Sequence, residues 1–254
     1  MKVTILGCGS SGGVPLATGD WGMCDPTNPK NRRRRVSIAV QDQDTTVIVD
    51  TSPDFREQML DAKIEKIDGV LFTHDHADHT GGIDDLRPFF YRYDKSVNVY
   101  SDEPTLRSLK ERFFYIFRSR PGVADIYKAF LKPHVINGPF QIGSIPITPF
   151  AQDHGFGHTM GYRFGKVAYS TDVLRLDEAA FRALQGVEVW IVDCLSYEMK
   201  PTHSHLSQTL QWIERVQPKK AYLTHMNNTL DYEELKKRIP AHVEPAYDGL
   251  VIEV

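Results

Sequence analysis

The residues best suited to chemistry lie together in Thr73-His74-Asp75-His76-Ala77-Asp78-His79, directly after the apolar run Gly69-Val70-Leu71-Phe72. This is an H-x-H-x-D-H pattern on a loop leaving a buried strand. Alternate residues of an extended segment project to the same side, so His74 and His76 can grip one cation together. Asp78 and His79 follow one turn later and can reach a second cation beside the first. Imidazole and carboxylate donors suit zinc, iron or manganese. Four side chains cannot complete two divalent sites, so further ligands must come from elsewhere. His154, Asp172 and His225 each follow a strand-like segment, and Asp172 could bridge two metals. Ligands at strand ends can be held rigidly by the sheets behind them.

The elements that must position these residues are legible in outline. Lys2–Leu6, Ser37–Val40, Thr45–Asp50, Gly69–Thr73 and Val97–Tyr100 read as strands of the first half, short and bounded by turn residues. Ser52-Pro53 reads as an N-cap with proline at the first helical position, opening a helix to about Leu60. A second helix is expected over Glu103–Phe117. Strands at Phe140–Ile142, Ile145–Pro149, Gly161–Phe164, Val167–Ser170, Glu188–Val192, Ala221–Thr224 and Leu250–Val254 follow, with helices at Asp177–Gln185, Ser207–Val216 and Tyr232–Arg238. Two runs of strands then helices predict an α+β chain, an αββα sandwich, forming a single domain over residues 1–254.

The order H-x-H-x-D-H, then His, Asp and His resembles the metallo-β-lactamase superfamily over nearly the whole chain. The resemblance implies the four-layer fold of that superfamily and two divalent metal ions, Zn2+ or Mn2+. It implies that His74, His76 and His154 hold the first metal, Asp78, His79 and His225 the second, and that Asp172 bridges them. The opening Gly7-Cys8-Gly9-Ser10-Ser11-Gly12-Gly13-Val14-Pro15 and the closing Tyr247-Asp248-Gly249-Leu250-Val251-Ile252-Glu253-Val254 are similar to the phosphodiesterase branch, nearest the phosphoribosyl cyclic phosphodiesterases. Those enzymes carry a structural zinc on a cysteine cluster and a histidine three residues past the last ligand. Here only Cys24 and Asn228 stand there, so no structural zinc is expected.

The expected activity is therefore a dinuclear metal-dependent phosphodiesterase acting on a small cyclic or nucleotide-like phosphate. A hydroxide bridging the metals would attack phosphorus, and the departing alkoxide would need a proton. His203 and His205, before the helix at Ser207, are the candidates for that acid, and with Asp78 they form the expected catalytic group. A histidine that merely caps the helix is the alternative for either. His158 and Arg87 are further candidates for the pocket. Rival activities are an RNA-processing nuclease of the same fold and a lactonase or thioesterase; a non-catalytic metal-binding relative is a third class.

Composition narrows the setting. Apolar residues make up 41% and charged residues 25% of 254, values of an ordinary globular chain. No run approaches a membrane span and no signal peptide is visible. Three separated cysteines fit a reducing compartment, so a cytoplasmic location is expected. A net charge of −3 argues against long nucleic acid as a partner. The expected partner is a small phosphorylated substrate, and the resemblance implies a homodimer. Gly7-Cys8-Gly9-Ser10-Ser11-Gly12 matches a dinucleotide fingerprint, but Gly13-Val14-Pro15 breaks the helix that must follow. Those glycines are expected to let backbone amides approach the metals or a phosphate. Arg32-Arg33-Arg34-Arg35 is either a solvated loop or a phosphate grip.

Overall fold

The computed structural model describes residues 1–118 and 128–254. Among the described residues, fourteen strands form two seven-stranded sheets. In the first sheet, β1 (Lys2–Gly7), β2 (Ser37–Asp42), β3 (Thr45–Val49), β4 (Gly69–Leu71), β5 (Val97–Ser101) and β6 (Leu131–Val135) lie in that order, with β14 (Val251–Glu253) outside β1. The second sheet runs from β7 (Phe140–Ile142) through β8 (Ile145–Asp153), β9 (His158–Phe164), β10 (Val167–Ser170), β11 (Val189–Asp193) and β12 (Lys220–Thr224) to β13 (Val243–Pro245). Each sheet has an antiparallel part and a parallel part. Strands β3 to β6 are parallel, and so are β10 to β13.

Both faces of the central strands are covered, which explains their nearly continuous apolar runs. On β3, Val47 and Val49 join the core between the sheets while Ile48 turns to the outer layer. There it meets Phe55 and Met59 of α1 (Phe55–Ala62), in the cluster that also holds Leu106 and Leu109 from another helix of that layer. On the other side, α6 (Glu178–Leu184), α7 (Leu206–Val216) and α8 (Tyr232–Lys236) contribute Leu184, Ile213 and Leu235 to the cluster under the second sheet. The αββα layering expected from the sequence is the observed fold. No helix among the described residues is long and apolar enough to cross a membrane.

Local differences have local causes. Helix α1 begins at Phe55 with Asp54 at its N-cap, because Ser52 Oγ donates to Gln58 Oε1 and accepts from Asp54 N. The helix expected over 103–117 is broken at Phe113 (φ −120°, ψ 37°) into α4 (Glu103–Arg112) and α5 (Phe114–Phe117). Strand β6 went unrecognised because it contains Pro133, which is tolerated here because β6 is the edge strand. Between β4 and β5, α2 (Ala77–Thr80) and α3 (Arg87–Tyr93) are short and were not expected.

Arg33 of the basic run is structural. Arg33 is buried, donating from Nη2 to Leu230 O at 2.6 Å and from Nη1 to Asn227 O at 3.1 Å. Arg34 pairs with Asp61 at 2.7 Å and Arg35 with Asp54 at 3.0 Å. The phosphate-grip expectation is thus overturned for Arg33, whose guanidinium faces carbonyls of the chain itself. Arg33→Met keeps the bulk of the side chain and leaves buried carbonyls without donors, so it is expected to lower stability by about 2–4 kcal/mol. A urea unfolding curve reads that loss.

Candidate metal centre

The site is assembled at the carboxyl ends of strands from both sheets, where open parallel sheets gather their ligands. His74 and His76 leave β4. Asp78 and His79 stand on α2, for which His76 is the N-cap residue. His154 directly follows β8, Asp172 lies two residues past β10 and His225 directly follows β12. Asp50 directly follows β3. Asp50, Asp172 and His225 hold φ of 64°, 54° and 57°, a left-handed turn that costs energy for non-glycine residues. Asp and His tolerate it better than most. The sharp reversal turns each side chain back over the strand end.

Two donor sets result. His74, His76, His154 and Asp172 form one, and Asp78, His79, Asp172 and His225 form the other; within each, one donor atom per residue lies within 4.8 Å of the rest. Asp172 divides its carboxylate between them. Its Oδ1 lies 3.9 Å from His74 Nε2 and 3.9 Å from His154 Nε2, while Oδ2 lies 3.1 Å from His79 Nε2 and 3.4 Å from His225 Nε2. Donors bound to one zinc at about 2.0–2.1 Å stand at most about 4.2 Å apart, so these separations suit a shared cation. The Nε2 atoms of His74, His79 and His225 are buried and lack hydrogen-bond partners. A buried imidazole nitrogen without a partner is costly unless something else binds it. These residues therefore fit divalent metal ions.

Charge in the site follows from burial and neighbours. Burial pushes the His74 ring well below the usual histidine range, aided by the neighbouring His79. At His79 burial opposes charge, but Asp172, Asp50 and Asp78 outweigh it and raise its pKa. Burial works against ionised Asp172 and Asp78 as well, and the surrounding imidazoles hold both below the usual carboxylate range.

Outer contacts fix the ligand rings. His79 Nδ1 lies 2.7 Å from Asp50 Oδ2, and Asp50 also accepts from Thr73 N and Thr73 Oγ1, each at 2.8 Å. His154 Nδ1 lies 2.8 Å from Thr202 O. Thr171 Oγ1 donates to Asp172 Oδ2 at 2.7 Å. Asp50 and Asp193 were the residues sequence reasoning missed in this role; each precedes its histidine by many positions, 29 for Asp50 and His79. The faint signal was an aspartate ending each strand. Asp50→Asn would turn an amide N–H toward the His79 ring, so metal affinity is expected to fall about 10–100-fold with the fold retained. Metal titration of the apoprotein measures this.

The remaining candidates separate clearly. His203 joins the centre: its Nε2 is 3.9 Å from Asp172 Oδ1, and its ring stacks on His225 at 4.6 Å between centroids. Its Nδ1 lies 3.2 Å from Asp193 Oδ2, and although burial disfavours the charged ring, Asp193 raises its pKa to about 9. Asp193 is itself held by Val173 N, which donates to Oδ2 at 3.1 Å. His205 is instead the N-cap residue of α7, bridged to Ser196, and belongs to neither donor set. His158, whose side chain is mostly exposed, pairs with Asp102 at 3.0 Å. Arg87 pairs with Asp84 at 3.2 Å and lies over the Phe130 ring.

Part of the glycine-rich opening serves the chain itself. Gly9 N donates to Arg34 O, Ser10 N to Met226 O and Cys8 N to Asp248 Oδ1. Those amides are used within the chain. A Cβ at Gly7 would stand 2.1 Å from Arg35 O, so the glycine is required by the close approach of residues 34–35.

A two-sheet sandwich with this ligand order is a metallo-β-lactamase fold, and the sequence comparison agrees. The chain belongs to the beta-lactamase superfamily: the model of the beta-lactamase superfamily domain matches residues 45–226, a span that contains all seven donor residues. With the two donor sets, this makes it a metal-dependent hydrolase of that fold.

More particular likenesses follow. The crystal structure of a diphosphatase from the PhnP family is similar with a TM-score of 0.91 and 35% identity, covering 100% of this chain and 97% of that one. Zinc-bound PqqB from Methylobacterium extorquens shares the fold, with a TM-score of 0.75, 20% identity and 100% of both chains covered. Among curated sequences, an octanoyltransferase of Porphyromonas gingivalis is 30% identical over 255 residues, 98% of this chain and 51% of that protein. The chain spans about half the length of that relative, as it does of the coenzyme PQQ synthesis protein B of Xanthomonas oryzae, of which it covers 52%.

Proposed function

We propose that the protein is a dinuclear metal-dependent phosphodiesterase acting on a small cyclic or nucleotide-like phosphodiester. The observation that carries this reading is the division of Asp172, with one oxygen toward each donor set. His74, His76 and His154 would hold one cation and Asp78, His79 and His225 the other, with Asp172 offering an oxygen to each. Five imidazoles and two carboxylates suit zinc or manganese. Bound there, such cations supply Lewis acidity for phosphoryl oxygens and lower the pKa of water to give a nucleophile near neutral pH.

The chain's own residues do the rest. His203 presents Nε2 to the centre and donates a proton to the departing alkoxide, while Asp193 on Nδ1 fixes its tautomer and orientation. Asp50 orients His79, and the Thr202 carbonyl orients His154. A second reading, cleavage of a diphosphate linkage, is favoured by the likeness to the PhnP-family diphosphatase. It uses the same residues on a P–O–P bond.

The metal-loaded protein is assayed on bis-p-nitrophenyl phosphate beside a dinucleotide diphosphate, a lactone and a thioester. Turnover of the diester supports the proposal, and turnover of the diphosphate alone favours the second reading. Robust lactone or thioester turnover with inert phosphate esters sinks both.

A further inference from the structure

Three of the buried donor histidines have a ring nitrogen fixed by a neighbour. His74 Nδ1 lies 3.0 Å from Thr73 Oγ1, His79 Nδ1 meets Asp50, and His154 Nδ1 meets the Thr202 carbonyl. His225 is different: it is buried, and among the described residues neither of its ring nitrogens has a hydrogen-bond partner. Asp193 Oδ1 stands 3.8 Å from its Nδ1, beyond hydrogen-bond range. The aim of this ring therefore depends on its backbone. That backbone turns at φ 57°, a conformation that persists only where the surroundings enforce it.

The chain just past His225 is enforced in two stages. Met226 N donates to Cys8 O at 2.9 Å, Met226 O accepts from Ser10 N at 3.1 Å, and Asn227 N donates to Leu195 O at 3.0 Å. The carbonyls that follow are held by Arg33, which donates to Asn227 O at 3.1 Å and to Leu230 O at 2.6 Å. Arg33 is itself anchored. Its backbone N and O exchange hydrogen bonds with Val14, each at 2.9 Å, and its Nη2 lies 3.4 Å from Asn31 Oδ1. Asn31, fully buried, donates to Asp231 Oδ2 at 2.6 Å and accepts from Tyr232 N at 2.8 Å. A guanidinium fork spans both carbonyls at once, whereas a lysine ammonium is a single point.

We propose that Arg33 is a positioning residue for the second donor set: by gripping the Asn227 and Leu230 carbonyls it holds the backbone that aims His225 at the cation shared with Asp78, His79 and Asp172. The inference rests on the two-metal reading of the donor sets. It confines the effect of Arg33 to one cation, because His74, His76 and His154 reach the centre from β4 and β8, away from this clamp.

Calorimetric titration of the apoprotein with zinc tests it in two backgrounds, each of which leaves one donor set whole. His76→Ala leaves the set that contains His225, and His225→Ala leaves His74, His76 and His154 with Asp172. Arg33→Met is expected to weaken the remaining zinc about tenfold in the His76→Ala background and to leave it unchanged in the His225→Ala background. Arg33→Lys, which keeps one donor, is expected to give a smaller loss in the first background alone, and it carries the test if Arg33→Met does not fold. An arginine that only stabilises the fold would weaken zinc alike in both. Equal losses in the two backgrounds, or no loss in either, overturn the proposal. The readout is binding, so an inert phosphodiester removes the phosphodiesterase reading and leaves this one standing.

Discussion

Asp172→Ala is expected to abolish hydrolysis of bis-p-nitrophenyl phosphate, with a loss of at least about 10³-fold in kcat. The size follows from position. The carboxylate is buried at 2% exposure, and its two oxygens face His74 and His154 on one side and His79 and His225 on the other. Removing it takes one ligand from both donor sets together and deletes the negative charge that balances the imidazoles. Asp172→Asn keeps the shape but offers one oxygen, so it is expected to retain one metal and lose the second. Steady-state rates with metal content measured on the same samples check both variants. An Asp172→Ala protein that turned over at the wild-type rate would remove the bridging role.

His203→Ala is the second large effect: kcat is expected to fall about 10²–10⁴-fold while metal content stays at the wild-type value. His203 belongs to neither of the two donor sets built around Asp172 but groups with Asp193 and His225, so metal content measured on the variant distinguishes proton donation from metal holding. The loss should grow as the leaving group becomes more basic, since a p-nitrophenolate departs with little help and an alkoxide does not. A series of aryl and alkyl phosphodiesters reads that slope. His205→Ala provides the contrast and is expected to remain close to the wild-type rate, because His205 is the N-cap residue of α7 and belongs to neither donor set. A loss equal for all leaving groups would instead mark His203 as a structural residue.

The clustering of the donor residues was legible because metal chemistry demands particular residue types at particular places. His74, His76, Asp78 and His79 are local in the chain, and His154, Asp172 and His225 each end a strand-like run. The supporting carboxylates were not legible. Asp50 meets His79 across 29 positions through the parallel pairing of β3 and β4, and Asp193 meets His203 across ten through the course of the loop between β11 and α7. Nor does sequence periodicity separate His203 from His205, since their fates depend on where α7 begins. The arginine run misled for a related reason. Arg33 looks like a surface cation by type, yet carbonyls of residues 227 and 230 enclose it. In the fold, the strands with both faces buried were the easiest to find, and β6 was hidden by a proline that an edge strand accepts.

The backbone at the site carries its own information. Of the non-glycine residues with positive φ, Asp50, Asp172 and His225 all stand just past strands that reach the centre. Three such turns in one place are a cost retained for position.

Stepwise metal titration of the apoprotein, with bis-p-nitrophenyl phosphate turnover recorded at each addition, tests the two-metal centre most directly. The expected result is two equivalents bound per chain, with activity rising as the second site fills. Full activity at one equivalent, or a protein that binds a single metal at saturation, would contradict a centre bridged by Asp172.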